Sequence, residues 1–253
     1  MNDIIIAIDC GIYNPGDIES NYESMMRSIE SAKMNHCDIV CFPEACLSGY
    51  STKECGPIDE RSLRNIVELS DGITIVFGAF EGDDDLYIVQ YVCEDGKIIG
   101  RYRKTHLGMN ETRFSPGDSL PVFRLKDITI GIQICWELHF PQITATYRSK
   151  GAALVLNPFA SGLPPERRVS LWKKIIPARA DDNRIFYAAC NCDGSSTICY
   201  GPNGSELIGK SIGEHLVMYT LDHCLLERYR DQVETMSNID YPKHFRPELY
   251  DLE

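Results

Sequence analysis

The sequence predicts an α/β protein that contains a mixed β-sheet. Short apolar, β-branched runs that suit strands alternate with segments whose apolar residues recur at helical spacing. Asp95-Gly96 separates two apolar runs, which is a strong signal for a tight hairpin turn between antiparallel strands. Strands that alternate with helices favour an α/β architecture, and the hairpin adds antiparallel pairing to it.

Apolar runs place the predicted strands along the chain. They lie at Ile4–Ile8, Asp38–Phe42, Ile73–Phe77, Leu86–Cys93, Ile128–Ile134, Ala153–Asn157 and Ile185–Asn191. The strand from Leu86 pairs with the run through Gly96–Gly100, and a similar turn is predicted at Pro202-Asn203-Gly204.

Helical spacing marks the segments between these strands. In the first, apolar residues fall on one face at Tyr22, Met25, Met26, Ile29 and Ala32. A later helix begins after Pro164-Pro165, and Pro177 is expected to kink or interrupt it because proline lacks a backbone N–H. Another helix is predicted near Phe140-Pro141. The segment from Tyr241 to Glu253 is polar and contains proline, so we expect a short extended tail.

Length and composition indicate one globular unit. The 253 residues are 43% hydrophobic and 25% charged, with no repeat, linker or low-complexity tract. We therefore expect a single domain over residues 1–253 with the short C-terminal tail.

Charge and hydropathy limit the classes of partner. Asp and Glu number 37 against 25 Lys and Arg, which gives a formal charge of −12 that repels nucleic acid. No apolar stretch approaches the roughly 18 residues that span a bilayer, and the N-terminus lacks a signal-peptide pattern. We expect a cytoplasmic protein with no membrane or nucleic-acid partner.

The chain contains 11 cysteines without any C-x-x-C pair. This spacing does not suit zinc or an iron–sulfur cluster, so no metal site is expected. Several cysteines lie in apolar runs and resemble small buried hydrophobic residues, which is most simply explained by a reducing compartment.

Three reactive side chains follow predicted strands: Glu44 in FPEACLSGY, Lys104 in RYRKTHL and Cys135 in GIQICWELHFP. Together, a carboxylate, an amine and a thiol can deprotonate a nucleophile, stabilise an oxyanion and form an acyl intermediate. Each also has an ordinary explanation. Cys135 could be a core residue, Glu44 a solvated loop acid, and Lys104 part of a basic loop.

The three motifs, in this order and approximate spacing, resemble those of the carbon–nitrogen hydrolase (nitrilase) superfamily. The similarity continues through ALVLNPFASG and through the segment from Trp172 to Asn191. The resemblance implies a four-layer α-β-β-α sandwich with two mixed sheets, no cofactor, and a homodimer or larger homo-oligomer.

The resemblance also implies a role for each site residue. Glu44 would be the general base, Cys135 the nucleophile, and Lys104 an oxyanion donor together with the backbone N–H of Trp136. Glu111 matches a second glutamate that positions substrate and lysine in many members, although a loop carboxylate is the alternative.

The motifs do not identify a single class of substrate. Glu137 in CWE resembles true nitrilases, whereas the following HFPQ resembles the amidase-type members. The sequence therefore predicts hydrolysis of a small amide or N-carbamoyl compound with release of ammonia, and a nitrilase is the alternative. A catalytically silent binding or assembly protein is a third possibility. His139 could reach the pocket, but a single histidine beside a helix start more often has a structural role.

Overall fold

The chain folds into two mixed β-sheets that pack face to face, with helices on both outer sides. This arrangement is seen in a computed structural model that describes residues 3–53, 56–82, 85–230, 235 and 239–249. The strands of the described residues are β1 (Ile4–Asp9), β2 (Ile39–Cys41), β3 (Thr74–Glu81), β4 (Tyr87–Glu94), β5 (Lys97–Arg103), β6 (Phe123–Arg124), β7 (Thr129–Ile132), β8 (Leu154–Phe159), β9 (Phe186–Asn191), β10 (Thr197–Tyr200), β11 (Lys210–Ser211) and β12 (Leu216–Leu221).

The helices of the described residues connect these strands or follow them. They are α1 (Ile18–Met34), α2 (Glu60–Glu68), α3 (Pro141–Ser149), α4 (Pro165–Asn183) and α5 (His223–Arg230). Short 3₁₀ helices occur at Cys135–His139, Tyr241–His244 and Pro247–Leu249.

Each sheet contains parallel and antiparallel pairs. The seven-stranded sheet has the order β11-β12-β1-β2-β3-β4-β5, and the five-stranded sheet has the order β10-β9-β8-β7-β6. Strands β1, β2 and β3 are parallel to one another, as are β7, β8 and β9, whereas the edges of both sheets are antiparallel. The carboxyl ends of two parallel groups can therefore face one site.

Alternation along the strands builds the layers. Ile6 and Ile8 point into the core between the sheets, and Ala7 points outward to α1, because successive side chains of a strand lie on opposite faces. Helices α1 and α2 cover the outer face of the larger sheet, and α3 and α4 cover that of the smaller one. The four-layer α-β-β-α sandwich is thus confirmed.

All seven predicted strands are present, within a few residues at their ends. The hairpin between β4 and β5 is also confirmed. Asp95 and Gly96 have φ values of 49° and 69°, which is the left-handed geometry of a tight hairpin turn. At the second predicted turn, Tyr200 and Glu206 form an isolated antiparallel bridge.

Two local predictions need correction. Helix α4 is not interrupted at Pro177, because Trp172, Ile176 and Ala180 on both sides of it are buried against the smaller sheet. The tail is not uniformly extended, since residues 241–249 contain two 3₁₀ turns. The last part of the tail, residues 250–253, lies outside the described residues.

Two further observations concern membrane-spanning helices and the state of the cysteines. No helix in the described ranges is long and apolar enough to cross a membrane. Ten cysteines are described, and all of them are free thiols; Cys55 lies outside the described residues.

Candidate active site

Glu44, Lys104 and Cys135 come together from both sheets. Glu44 follows β2, Lys104 follows β5 at the far side of the same sheet, and Cys135 follows β7 of the facing sheet. Ala160, which follows β8, completes the group through its backbone N–H. The site therefore lies where strand ends of the two sheets meet, as expected for α/β proteins.

The ammonium group of Lys104 lies between two carboxylates. Its Nζ atom is 2.7 Å from Oε1 of Glu44 and 2.7 Å from Oε1 of Glu111. All three residues are at most 3% exposed. Burial by itself lowers the pKa of Lys104, but Glu44, the Cys135 thiol and Glu111 raise it, and the net direction is upward. Lys104 is thus a protonated hydrogen-bond donor at any ordinary pH.

Glu44 is a buried carboxylate held at both oxygens. Its Oε1 accepts from Lys104, and its Oε2 accepts from the backbone N–H of Ala160 at 2.9 Å. Burial raises the pKa of Glu44, Lys104 lowers it, Glu111 raises it further, and the net shift is upward. A carboxyl group with a raised pKa is a stronger base when it is ionised, which suits proton transfer near neutral pH.

A close backbone crossing positions Glu44. The side chain of Gln90 on β4 donates to the carbonyl of Phe42 at 2.9 Å, and Ala45 adopts a left-handed φ of 51°. Gly78 on β3 allows this path, because a Cβ atom there would lie 2.2 Å from the Ala45 nitrogen. The FPEA segment and Gly78 thus fit together only without a side chain at residue 78.

Cys135 lies on a strained turn that begins a 3₁₀ helix. Its φ is 55°, a left-handed conformation that non-glycine residues adopt at a cost. The carbonyl of Cys135 accepts from Nδ2 of Asn157, and Tyr187 in turn donates to Oδ1 of Asn157. These contacts hold Cys135, a partly buried residue, at a strand-to-helix turn.

The surroundings of Cys135 favour the neutral thiol over the thiolate. Burial raises the pKa of the Cys135 thiol and the Glu44 carboxylate raises it further, and Lys104 does not offset them. Desolvation and the negative charge of Glu44 thus outweigh the single ammonium group of Lys104. The Glu44 carboxylate therefore acts electrostatically on this thiol.

Glu111 belongs to the same cluster and is not a solvated loop acid. Besides Lys104, its Oε1 accepts from the hydroxyl of Tyr50 at 2.7 Å, and its Oε2 accepts from the N–H of Gly108 at 2.6 Å. Tyr50 ends the FPEACLSGY motif, but no chemical signal in the sequence singled it out. Tyr50 and Glu111 fix the second side of the Lys104 ammonium group.

The loop after β8 forms one wall of the adjoining pocket, which has a volume of about 430 Å³. The backbone carbonyls of Ser161 and Leu163 each accept a hydrogen bond from the buried guanidinium of Arg168. The side chain of Asn191 forms hydrogen bonds with the backbone of Ser161. Arg168 also pairs with Asp193. The sequence did not indicate this support, because neither the arginine nor the asparagine lies in a motif of its own.

The three residues discussed after Cys135 differ in how far they are exposed to solvent. The indole of Trp136 is 38% exposed at the site, and its Nε1 donates to the carbonyl of His106 at 2.6 Å. Glu137 is fully buried and bonds to protein groups, so its carboxylate does not face the pocket. His139 is exposed on the 3₁₀ turn. In the described part of the chain, no group of three metal-ligating side chains is found.

Sequence comparison relates this chain to known hydrolases. The family model described as carbon-nitrogen hydrolase matches residues 7–231. The chain is 33% identical to 2-oxoglutaramate amidase of Bacillus subtilis over 173 residues, which span 64% of this chain and 66% of that enzyme. It is also 30% identical to a nitrilase of Pyrococcus abyssi, over 79% of this chain and 77% of that protein.

Structure comparison finds the same fold in solved proteins. An amidase of Nesterenkonia superposes with a TM-score of 0.82 over 97% of this chain and 95% of that one, at 21% identity. Nit3 of Saccharomyces cerevisiae, a member of the nitrilase superfamily, superposes with a TM-score of 0.78 over 90% and 93% of the two chains, at 24% identity.

Proposed function

Because the chain belongs to the carbon–nitrogen hydrolase family, we propose that it is an amidase-type enzyme that releases ammonia from a small amide or N-carbamoyl compound. The observation that carries this proposal is the position of Lys104. An ammonium group has three N–H donors, and Glu44 and Glu111 accept from two of them. Among the contacts of the described residues, the third is left for a substrate oxygen.

In the proposed first step, Glu44 takes the proton of the Cys135 thiol as the sulfur attacks the substrate carbonyl carbon. The C–S bond forms, and the carbonyl oxygen becomes an oxyanion. Lys104 and the backbone N–H of Trp136 donate to this oxygen, which gains more from them in the transition state than in the ground state. The upward pKa shift of the thiol supports a concerted role for the base.

The second step releases ammonia. The tetrahedral intermediate collapses, the C–N bond breaks, and Glu44 returns its proton to the leaving nitrogen. Cys135 then carries the acyl group as a thioester. The Ala160 N–H, at 2.9 Å from Oε2 of Glu44, keeps the carboxyl group oriented during this exchange.

Water completes the cycle. Glu44, again a carboxylate, takes a proton from water as the hydroxyl oxygen attacks the thioester carbon. Lys104 and Trp136 stabilise the second oxyanion, the C–S bond breaks, and the proton returns to sulfur. The products are a carboxylic acid, or a carbamate from an N-carbamoyl compound, and the free Cys135 thiol.

The amide is favoured over the nitrile by the same oxyanion donors. Attack on an amide creates a full oxyanion for Lys104, whereas attack on a nitrile produces a thioimidate nitrogen. Glu137 no longer argues for a nitrile, because its carboxylate is buried away from the pocket. A nitrilase stays the alternative, since the relatives include proteins named as nitrilases.

The test is ammonia release from matched amides, ureides and nitriles. The amidase of Nesterenkonia, which shares this fold, has been solved with butyramide, so butyramide and butyronitrile are a suitable first pair. We expect higher kcat/KM for the amide of each pair and no release by Cys135→Ala. Cys93→Ala, at a buried cysteine on β4, is the matched control and should retain activity.

Three outcomes contradict parts of the proposal. Consistently higher kcat/KM for nitriles would make the protein a nitrilase. Ammonia release by Cys135→Ala at the wild-type rate would remove the thioester. A silent binding protein would release no ammonia from any compound. In such a protein, iodoacetamide would alkylate Cys135 at the same rate in the wild type and in Glu44→Gln.

A further inference from the structure

The carboxylate of Glu137 connects the two segments that carry Lys104 and Cys135. It is fully buried, and it accepts hydrogen bonds from four residues. On the lysine side, Oε1 accepts from the backbone N–H and hydroxyl of Thr105 at 2.8 and 2.7 Å, and from the N–H of His106 at 3.0 Å. The hydroxyl of Tyr102 lies 2.8 and 2.9 Å from the two oxygens.

On the cysteine side, the same carboxylate closes the turn around the nucleophile. Its Oε2 accepts from the backbone N–H of Ile134 at 2.7 Å, and the Glu137 backbone N–H donates to the Ile134 carbonyl at 3.2 Å. The Glu137 carbonyl accepts from Nε2 of Gln133 at 2.8 Å. Cys135, with its left-handed φ of 55°, lies within this closed turn.

The hydrogen bonds of the Glu137 carboxylate form a bridge between segments that come from different sheets. Tyr102 is on β5 of the seven-stranded sheet, and Lys104 follows it by two residues. Ile134 follows β7 of the five-stranded sheet and immediately precedes Cys135. Within the described contacts, Glu137 therefore ties the residue next to Lys104 to the residue next to Cys135 through a single rigid carboxylate.

We propose that Glu137 is a positioning residue that sets the separation between the Lys104 ammonium group and the Cys135 sulfur, and so the contact between Lys104 and the reaction's oxyanion. The proposal rests on the proposed function. A misplacement of about 1 Å can cost about a hundredfold in rate, and loss of one oxyanion donor costs about 10²–10³. A role in orienting substrate is not included, because the carboxylate does not face the pocket.

Substitution by glutamine is the informative change. A glutamine has nearly the same shape, but its NH₂ group would face the backbone N–H of either Ile134 or Thr105. On that side, two hydrogen-bond donors would face each other without an acceptor between them. The segments that carry Lys104 and Cys135 would then move apart. Glu137→Asp retains both acceptor oxygens on a shorter side chain, so it should recover part of the lost rate.

Two reactions of Cys135 separate this role from a general effect on folding. Acylation by p-nitrophenyl acetate passes through an oxyanion, whereas alkylation by iodoacetamide does not. We expect Glu137→Gln to lower the acylation rate by about 30–300-fold and the alkylation rate by less than about threefold. Glu137→Asp should lie between Glu137→Gln and wild type in acylation.

Asp240→Asn is the matched control, because Asp240 is a buried carboxylate that pairs with Arg148 away from the site. It should lower the melting temperature without changing the ratio of acylation to alkylation. The proposal is overturned if Glu137→Gln acylates within threefold of wild type, or if both reactions fall by the same factor. Because the probe is an activated ester, this test still decides the role of Glu137 if the wild type releases no ammonia from any amide.

Discussion

The ammonium group of Lys104 lies between two buried carboxylates, and this arrangement defines the chemistry at the residue scale. Two negative charges and one positive charge share a site that excludes most solvent. The charges therefore interact strongly, and each of them influences the protonation of the others. One consequence is that a change at Lys104, Glu44 or Glu111 also affects the other two groups.

The proposed triad should lose activity as a unit. We expect Cys135→Ala, Glu44→Gln and Lys104→Ala each to lower kcat by at least about a thousandfold, because each removes a group used in every turnover. Ammonia release by purified variants, with circular dichroism to confirm folding, measures this. Lys173→Ala, at an exposed lysine on α4, is the control and should be unaffected. Near wild-type turnover in any triad variant would exclude that residue from the mechanism.

Lys104→Ala should differ from the other two in stability. It leaves Glu44 and Glu111 buried without their counter-ion, and breaking a buried ion pair costs about 3–5 kcal/mol. Denaturant unfolding should therefore show a lower free energy of unfolding for Lys104→Ala than for Glu44→Gln. Equal values would mean that solvent or a proton replaces the missing ammonium charge.

The pH dependence of kcat/KM should reflect Glu44. Burial raises the pKa of this carboxyl group, and only its ionised form can act as the base. Activity is thus present above that pKa and is lost as the pH falls through it, at a pH above the usual glutamate value of about 4.3. Lys104 adds no alkaline loss in the ordinary range, because its pKa is shifted upward. An acidic midpoint at or below the usual glutamate value would contradict this assignment.

At the scale of elements, the site depends on backbone segments that pass close to one another. The FPEA segment after β2 crosses β3 at Gly78, where any Cβ atom would overlap the backbone of Ala45. The loop after β8 is held by Arg168 and Asn191. Strand ends thus supply the reactive groups, and neighbouring elements fix their positions.

Gly78→Ala should displace Glu44. The new methyl group would lie 2.2 Å from the Ala45 nitrogen, so the segment must shift. We expect a loss of about 1–3 kcal/mol in stability from overpacking and a fall of about a hundredfold in kcat. Thermal unfolding and ammonia release measure the two effects. Gly56→Ala is the control, because a Cβ at Gly56 meets open space. An active Gly78→Ala variant would show that the crossing does not control Glu44.

At the scale of the whole molecule, two sheets with one shared core bring distant segments together. The core between them includes Ile6, Ile39 and Val76 from one sheet and Ile132 and Leu156 from the other. The formal net charge of the chain is −12, and this negative charge disfavours polyanionic partners. The remaining surface includes apolar side chains near the C-terminal end.

We expect the chain to form a homodimer or larger homo-oligomer. Tyr241 and Phe245 are 46% and 58% exposed on a short segment beside α3 and α4, and Leu249, four residues further on, is 63% exposed. Large exposed apolar side chains that lie close together in the chain favour a protein contact. Sedimentation equilibrium should give a mass of at least twice 28.6 kDa. Phe245→Asp should shift the mass towards the monomer, whereas Met109→Asp, at an exposed methionine elsewhere, should not. A monomeric wild type would contradict the expectation.

The sequence alone determined the α/β class, seven strands, the hairpin at Asp95-Gly96 and the three motif residues. These features follow from local periodicity, turn chemistry and motif order, which can be read from neighbouring residues. Strands β6, β11 and β12 escaped prediction. The first two contain only two residues each, and so short a run has no periodicity. Pro177 does not interrupt α4, since packing of this helix outweighs the missing backbone donor.

The tertiary structure decided how the motif residues interact. Sequence order could not show that Tyr50 completes the Lys104 site or that burial outweighs Lys104 at the Cys135 thiol. It also could not show that Glu137 is a buried bridge instead of a marker of substrate type. Each of these depends on which groups lose water together and which charges meet across the two sheets. Desolvation and charge interactions are set by distance in space, and distance in space is not encoded by any single stretch of the chain.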